Sequence, residues 1–256
     1  MSGAVVSGAV VSGPVVSDTV AEGPVLSDPA VSDPAAQDAV VTLSSGDFLD
    51  ALTQARLLAI IRSTDPEAAT QAALVLIESG IRILEVSLVT TEALRVITEV
   101  AHRAPDGCLI GAGTVLTRDD VARAHQAGAT FMVTPAVTES VAECVALGIP
   151  VLAGAFTPTE VVTALNLGAT AVKLFPAANG GPAYLRSLRD PLPHVPFVPV
   201  GGVDAARAAE YLAAGAIAVG VGSPLVGDAA RGGDLEALRA RAAEFLATAE
   251  ASRRLL

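Results

Sequence analysis

The sequence predicts an α/β protein whose main domain is a (β/α)8 TIM barrel with an N-terminal helix. Strand-like and helix-like segments alternate eight times over about 210 residues, which is the size of a compact barrel of this kind. Aromatic residues make up only 3% of the chain, and its apolar bulk is Ala, Val and Leu, which pack helices onto parallel strands. An open, doubly wound sheet is the alternative fold for the same alternation.

A low-complexity segment precedes the barrel. Residues 1–42 repeat the unit "AVVSG" with variations such as "PVVSD" and "PVLSD". Pro, Gly, Ser and Asp interrupt each valine pair before a strand could form. This composition predicts a disordered tail over 1–42 and a barrel domain over 43–256. The tail lacks the basic start and the continuous apolar stretch of a secretory signal peptide.

The predicted elements follow in order after the tail. The first is a short amphipathic helix in "SSGDFLDALTQAR", for which Ser44 or Ser45 is the predicted N-cap. Gly ends several helical segments, as in "ALVLIESG" and "VVTALNLG", and such a stop is expected between a helix and the next strand. The predicted strands cover residues 57–62, 83–88, 109–115, 131–135, 151–155, 171–176, 197–202 and 216–222.

Composition and charge exclude several classes of function. A net charge of -11 argues against a nucleic-acid partner, which needs clustered Lys and Arg. No apolar run reaches the roughly 18 residues that would cross a membrane. Cys108 and Cys144 lie far apart, and His102, His125 and His194 are scattered, so no metal or other cofactor is predicted. Reduced thiols favour a cytoplasmic location.

Strand alternation places one acid and one base inside the barrel. Glu85 lies between Leu84 and Val86 on the second predicted strand. If those two neighbours face the helices, Glu85 faces the interior, and the same count points Lys173 inward from the sixth strand. Burying either charge costs several kcal/mol unless it is paired or used. The two side chains therefore form a central ion pair, or one of them pairs with an arginine in the barrel, or they form a reactive site.

Lys173 is the only lysine in the sequence, because all the other residues counted as Lys or Arg are arginines. Arginine keeps its proton and is a poor nucleophile, whereas a desolvated lysine amine can condense with a ketone to form a Schiff base. The protonated imine accepts the electrons of a breaking C–C or C–H bond, and a carboxylate such as Glu85 moves the protons. This pair of residues predicts class I aldolase chemistry.

Glycines after the last two strands predict an anion site. Gly201 and Gly202 end the seventh predicted strand, and Gly222 and Ser223 end the eighth. Backbone N–H groups at such glycines can approach an anion closely, and the loops after strands 7 and 8 are the usual phosphate site of these barrels. The two loops together predict a small phosphorylated substrate.

Seven motifs resemble, in order and spacing, a family of 2-keto-3-deoxy-6-phosphogluconate (KDPG) and 4-hydroxy-2-oxoglutarate (KHG) aldolases. They are "LEVSL", "IGAGTVLT", "FMVTPA", "GAFTPTEV", "VKLFPA", "PVGGV" and "VGVGSPLV". The resemblance covers the barrel and omits the tail. It implies a homotrimeric class I aldolase that needs no cofactor. Such an enzyme cleaves KDPG to pyruvate and glyceraldehyde 3-phosphate. KHG, which is cleaved to pyruvate and glyoxylate, is implied as a further substrate.

The resemblance also implies roles for individual residues. Lys173 would form the Schiff base, Glu85 would be the general acid and base, and Thr114 would hold the substrate carboxylate. The implied substrate-binding residues are Arg62, Thr114, Thr134, Pro135, Phe175 and Val200. The implied phosphate-binding residues are Gly201, Gly202, Gly222 and Ser223.

Two positions bear on the substrate that the resemblance implies. Val89 stands in "LEVSLVT", where the family often has Arg or Asn near the substrate carboxylate, so carboxylate binding would rest on Thr114 and backbone groups. Val200 stands where gluconate-type enzymes carry Thr and the galactonate type carries Val, so 2-keto-3-deoxy-6-phosphogalactonate (KDPGal) is the alternative substrate. A phosphosugar isomerase or synthase and a non-catalytic trimeric scaffold are the alternative functions.

Overall fold

The computed structural model describes residues 43–254, which contain eight parallel strands. They are β1 (Leu57–Ile61), β2 (Ile83–Ser87), β3 (Leu109–Gly113), β4 (Phe131–Val133), β5 (Val151–Ala155), β6 (Ala171–Leu174), β7 (Phe197–Pro199) and β8 (Val219–Val221). Neighbouring strands pair in the order β7-β6-β5-β4-β3-β2-β1-β8. A parallel bridge between Val200 and Gly220 brings the two ends of this sheet together. The result is the predicted barrel, and an open doubly wound sheet is excluded.

Helices cover the outside of the barrel and alternate with the strands. They are α1 (Ser45–Ala55), α2 (Pro66–Glu78), α3 (Ala93–Arg103), α4 (Arg118–Gln126), α5 (Glu139–Ala146), α6 (Pro158–Asn166), α7 (Gly181–Arg189), α8 (Ala205–Ala213), α9 (Ser223–Val226) and α10 (Leu235–Arg253). Ser44 caps α1, because its side chain accepts a hydrogen bond from the Asp47 N–H at 3.1 Å. The predicted glycine stops are confirmed by positive φ angles, for example 104° at Gly80 and 89° at Gly168.

Strand alternation produces two apolar layers and confirms the predicted facing of the strands. Leu84, Val86 and Val172 are buried in the outer layer, between the strands and the helices. Ile83 and Ala171, which alternate with them, belong to a separate apolar cluster inside the barrel. Glu85 and Lys173 share the inward parity of Ile83 and Ala171. Both charges are consequently directed into the barrel.

Helix α1 contributes to the interior cluster from the N-terminal side of β1. Phe48 and Leu52 are both completely buried. The Phe48 ring stacks on Phe131 of β4, with 4.6 Å between the ring centroids. A hydrogen bond of 3.1 Å between the hydroxyls of Ser45 and Thr170 ties the start of α1 to the segment that enters β6. The barrel is thereby filled with apolar side chains at this end.

Several strands are shorter than predicted. Strand β7 ends at Pro199 rather than at 202, because Gly201 and Gly202 adopt φ angles of 100° and 69° that end the extended backbone. Strand β8 begins at Val219 rather than at 216.

The predicted disordered tail over 1–42 lies outside the described residues. Within 43–254, no helix combines the length and apolarity needed to span a bilayer.

Candidate active site

The carboxyl ends of the strands surround a cavity of about 430 Å³. Loops at this end of a (β/α)8 barrel are where active sites lie, since each strand delivers its last residues to a common centre. All the predicted site residues except Thr134 line the cavity, namely Arg62, Glu85, Thr114, Pro135, Lys173, Phe175, Val200, Gly201, Gly202, Gly222 and Ser223. The fold therefore brings together residues from seven of the eight strands or from the loops that follow them.

Lys173 is buried at the floor of this cavity. It lies on β6 in register with Gly154 of β5 and is 6% exposed. Its Nζ is 5.2 Å from the centroid of the Phe175 ring, within the range at which an aromatic face attracts a cation. A Cβ at Gly154 would clash with the backbone of Pro135. The absence of a side chain at Gly154 therefore allows Pro135 to lie beside the strand position that pairs with Lys173.

Glu85 enters the cavity from β2 and is only 1% exposed. A Cβ at Gly113 would clash with the Glu85 Oε1, so this glycine on the neighbouring strand makes room for the carboxyl group. Within the described part of the chain, the Glu85 Oε2 has no hydrogen-bond partner. Burial raises the pKa of Glu85, while the positive charges of Lys173 and then Arg62 act in the opposite direction. A buried oxygen without a partner is available to a substrate.

The described residues contain no ion pair between Glu85 and Lys173 within 4.0 Å. The ion pairs found there are formed by arginines with carboxylates that are largely exposed. The predicted alternative of a central ion pair is therefore not observed. The acid and the base instead face a shared cavity and interact through space.

Thr114 follows β3 in a backbone conformation that is rare for its residue type. Its φ angle is 61°, in the left-handed region that β-branched residues avoid, and such outliers concentrate at functional sites. Its hydroxyl lies 2.7 Å from the hydroxyl of Ser87, the last residue of β2. Ser87 was not among the predicted site residues, although the alternation that pointed Glu85 inward applies to it as well.

Thr134 has a different place from the one implied by the family resemblance. It is completely buried and does not line the cavity. Its hydroxyl donates to the carbonyl of Ala136 at 2.6 Å and accepts from the Gly154 N–H at 3.1 Å. These two bonds hold the turn that carries Pro135, so Thr134 contributes to the cavity through the position of its neighbour.

The loops after β7 and β8 contribute four residues with backbone N–H groups to the lining of the cavity. These groups belong to Gly201, Gly202, Gly222 and Ser223. Within 43–254, none of the four donates to a backbone carbonyl. A Cβ at Gly202 would approach the Ala178 Cβ to 2.8 Å, so a side chain there would be crowded as well as strained. Unpaired N–H groups on glycine-rich turns favour a bound anion.

Arg231 also lines the cavity and was not predicted from the sequence. It ends a short 3-10 turn, Ala229–Arg231, after α9. No local motif marks this position, and an arginine in a loop is usually read as an ordinary surface charge. Only the folded structure shows that Arg231 lines the same cavity as Gly222 and Ser223.

Among the residues at 43–254, no group of three His, Cys, Asp or Glu side chains is placed to hold a metal ion.

Comparisons with known proteins agree with this arrangement. A family model described as "Aldolase: KDPG and KHG aldolase" matches residues 49–240. A probable 2-dehydro-3-deoxy-6-phosphogalactonate aldolase of Rhizobium meliloti (strain 1021) is 39% identical over 197 residues, which cover 76% of this chain and 92% of the relative. The KHG/KDPG aldolase of Escherichia coli (strain K12) is 35% identical over 196 residues, covering 75% and 92%.

A solved structure extends the likeness to three dimensions. The KDPG aldolase from Legionella pneumophila, with pyruvate captured at low pH as a covalent carbinolamine intermediate, matches with a TM-score of 0.70. The two proteins are 29% identical, and the match covers 80% of this chain and 98% of the other.

Proposed function

Because this chain belongs to the KDPG and KHG aldolase family, we propose that it cleaves KDPG to pyruvate and glyceraldehyde 3-phosphate, with KHG as a second substrate cleaved to pyruvate and glyoxylate. The protein is a class I aldolase, a carbon–carbon lyase of the aldehyde-lyase type. The observation that carries the substrate proposal is a buried lysine and a buried glutamate in the same cavity as four unpaired backbone N–H groups.

In the proposed first step, the amine of Lys173 adds to the C2 ketone of the substrate. Glu85 donates a proton to the hydroxyl of the resulting carbinolamine, which leaves as water, and the nitrogen becomes a protonated imine. The raised pKa of Glu85, caused by its burial, supports this role. Its carboxyl group keeps a proton at pH values where an exposed glutamate has lost it.

The proposed second step breaks the C3–C4 bond. The Glu85 carboxylate, having given up its proton, accepts the proton of the C4 hydroxyl, and glyceraldehyde 3-phosphate leaves as an aldehyde. The electron pair of the broken bond forms the C2–C3 double bond of an enamine, and the imine nitrogen becomes neutral. Glu85 then protonates C3, and one water molecule hydrolyses the pyruvyl imine. Pyruvate and free Lys173 result, and the water lost in the first step is recovered.

The cavity offers separate contacts for the two ends of the proposed substrate. In the proposed complex, the hydroxyl of Thr114 binds the substrate carboxylate, and Arg62 supplies a positive charge near Glu85. Phe175 and Pro135 form the walls beside Lys173. The phosphate binds to the backbone N–H groups of the loops after β7 and β8. Val89 is 59% exposed and does not line the cavity, so it provides no contact to the substrate carboxylate.

Borohydride trapping tests the proposed chemistry directly. Reduction in the presence of pyruvate should attach a stable pyruvyl mass to one peptide, the one that contains Lys173, because the chain has no second lysine. Peptide mass spectrometry locates the adduct, and the Lys173→Arg variant is the control. A folded wild-type protein that gains no adduct would refute the Schiff-base mechanism and favour the non-catalytic scaffold.

KDPGal is the second candidate substrate, favoured by Val200. This side chain lines the cavity next to Gly201 and offers no hydroxyl to a sugar hydroxyl. The Rhizobium meliloti relative, named as a probable aldolase of this substrate, supports the same choice. Values of kcat/KM for the two epimers decide between them. The Val200→Thr variant should shift the ratio toward KDPG by about tenfold, since a hydrogen bond at one hydroxyl separates epimers.

A homotrimeric assembly and a cytoplasmic location complete the proposed function. Large apolar side chains are exposed on and after α5 and α6, and they are Val145, Leu147, Val162 and Leu167. Such side chains at neighbouring positions are typical of an interface between subunits. Light scattering after gel filtration should give three times the chain mass of 25.6 kDa. A mass of one chain would contradict the trimer. The free thiols of Cys108 and Cys144 fit a reducing compartment.

A further inference from the structure

We propose that Arg231 is the cation of the phosphate subsite and that it sets the preference of the enzyme for substrates with a terminal phosphate dianion. The proposal rests on the proposed aldolase function and concerns the same cavity. It assigns the recognition of the phosphate charge to a side chain, whereas the backbone N–H groups of the glycine loops supply the geometry.

Arg62 and Arg231 are the two arginines that line the cavity, and Arg231 differs from Arg62 in that it is not among the charges that act on Glu85. Seven arginines of the described region form ion pairs within 4.0 Å: Arg95, Arg103, Arg118, Arg123, Arg239, Arg253 and Arg254. Arg231 forms none with the carboxylates at 43–254, and it is an exposed residue that lines the same cavity as Gly222 and Ser223. In a chain with a net charge of -11, an unneutralised guanidinium at a cavity attracts an anionic ligand.

The positive charges of the cavity differ in their effect on Glu85. Lys173 and Arg62 are close enough to Glu85 to lower its pKa against the effect of burial, and Arg231 is not among the charges that act on it. Arg231 follows α9, in the same loop region as Ser223. The reacting carbon would lie at the Lys173 end, and the phosphate, four bonded carbons further along the substrate, would lie at the Arg231 end.

The backbone that carries Arg231 is held by buried contacts. The Ser63 hydroxyl, itself 5% exposed, donates to the carbonyl of Ala230, and the N–H of Asp65 donates to the same hydroxyl at 2.9 Å. The Arg231 N–H donates to the carbonyl of Asp228 at 2.8 Å. The backbone of Arg231 therefore belongs to a fixed turn, although the Arg231 side chain is exposed. Fewer degrees of freedom are lost when such a side chain binds.

A second arginine fixes the loop on its other side. Arg241 of α10 donates from Nε to the carbonyl of Leu225 at 2.7 Å and from Nη2 to the carbonyl of Val226 at 2.9 Å. These carbonyls end α9, so the cation of Arg241 stabilises the negative end of that turn. Arg241 is a positioning residue, and its guanidinium is occupied. The guanidinium of Arg231, in contrast, lines the cavity, and its planar fork can bind two phosphate oxygens.

The test compares a phosphorylated and an unphosphorylated substrate. In Arg231→Ala, kcat/KM should fall about 10- to 100-fold for KDPG, mostly through KM, because a charge-assisted bidentate contact is lost. For KHG, which has no phosphate, the change should stay below about twofold. Arg231→Lys should recover part of the loss on KDPG, since it restores the charge without the fork. Arg186→Ala is the matched control, because Arg186 is exposed on α7, away from the cavity.

Titration calorimetry with inorganic phosphate provides a readout without turnover, and the dissociation constant should rise about tenfold in Arg231→Ala. Equal losses on both substrates, or no loss on KDPG relative to Arg186→Ala, would overturn the role of Arg231. Pyruvate trapping on Lys173 separates this result from the proposed function. If the wild type traps pyruvate and cleaves KDPG but Arg231→Ala does so equally well, only the assignment of Arg231 fails. If the wild type does neither, the aldolase proposal itself fails.

Discussion

The two ends of this barrel are built from the same eight strands but have opposite properties. At the N-terminal end, Phe48 and Leu52 of α1 join Phe131 and Ile83 in an apolar cluster that is almost completely buried. At the carboxyl end, Glu85 and its charged neighbours surround a cavity of about 430 Å³. Ile83 and Glu85 are only two residues apart on β2, so the change from apolar filling to a charged site takes place within one strand.

The apolar end of the barrel therefore contributes mainly to the stability of the fold, and the charged end contributes mainly to catalysis. The cost of burying Glu85 and Lys173 without an ion pair is offset by apolar packing elsewhere, and the interior cluster at the N-terminal end is one source of it. Substitutions at that end should act on folding with little effect on the site. Substitutions at the carboxyl end should act on turnover, with smaller effects on folding. Four experiments test this separation.

The largest effect is expected at Lys173. Lys173→Arg keeps the charge and most of the volume but removes the nucleophilic amine, so kcat/KM on KDPG should fall at least about 10⁴-fold. Steady-state assays together with borohydride trapping measure the loss, and circular dichroism checks the fold. If this variant retained more than about a tenth of the activity, Lys173 would act only as a charge, as expected for an isomerase or synthase.

Glu85 should give the next largest effect on turnover. Glu85→Gln is close in size and keeps polar atoms in place, but it cannot exchange a proton with the substrate. We expect kcat to fall about 10²- to 10⁴-fold, the usual contribution of a general acid and base. The pH profile of kcat should also lose the limb that reports this group. A profile identical in shape to that of the wild type would assign the proton transfers to another residue.

A matched pair of phenylalanines compares the two ends directly. Phe48→Ala, at a completely buried position, should lower the free energy of unfolding by about 3–5 kcal/mol. Phe175→Ala, at a position that is 37% exposed in the cavity, should lower it by less than about 1.5 kcal/mol but should reduce kcat/KM. Denaturant unfolding and assays at a temperature where both variants are folded measure the two quantities. Comparable stability losses would contradict the separation.

The smallest effect concerns pH and stability. Burial raises the pKa of Glu85 in the folded protein, so the folded state binds this proton more tightly than the unfolded state does. The stabilisation from the protonated Glu85 carboxyl is complete below the pKa of this group in the unfolded state, and it is lost as pH rises through its pKa in the folded state. The loss is about 1.4 kcal/mol for every tenfold difference in proton affinity between the folded and unfolded states. Glu85→Gln should lack this decline. Parallel pH dependences of unfolding in the two proteins would show that burial of Glu85 has no such effect.

Much of the fold was predictable because its signals are local. A short apolar run marks each strand in the sequence. Glycines such as Gly80 and Gly168 mark the ends of helices, and both have the positive φ angle that favours glycine there. The inward direction of Glu85 and Lys173 followed from strand alternation, which requires only the position of the strand in the sequence. Strand ends were less predictable, because the turn at Gly201 and Gly202 depends on the contact with the loop that contains Ala178.

The site was predictable only where residues lie on strands or in family motifs. Arg231 was missed because its relation to Ser223 arises from the path of the chain after α9 and not from a local pattern. Ser63 was missed for the same reason, since its partner Ala230 is 167 residues away. Thr134 was placed in the cavity by resemblance, whereas its hydroxyl is bound to Ala136 and Gly154.

The sequence by itself determined the eight alternating strand–helix units, the inward direction of one lysine and one glutamate, and the glycine loops after the last two strands. Periodicity and residue type suffice for these features, because steric rules act between near neighbours. Only the tertiary structure decided that Lys173 and Glu85 face a cavity without forming an ion pair, and that Arg231 joins the glycine loops. Distances between residues far apart in the chain depend on packing across the whole barrel, which no local pattern encodes.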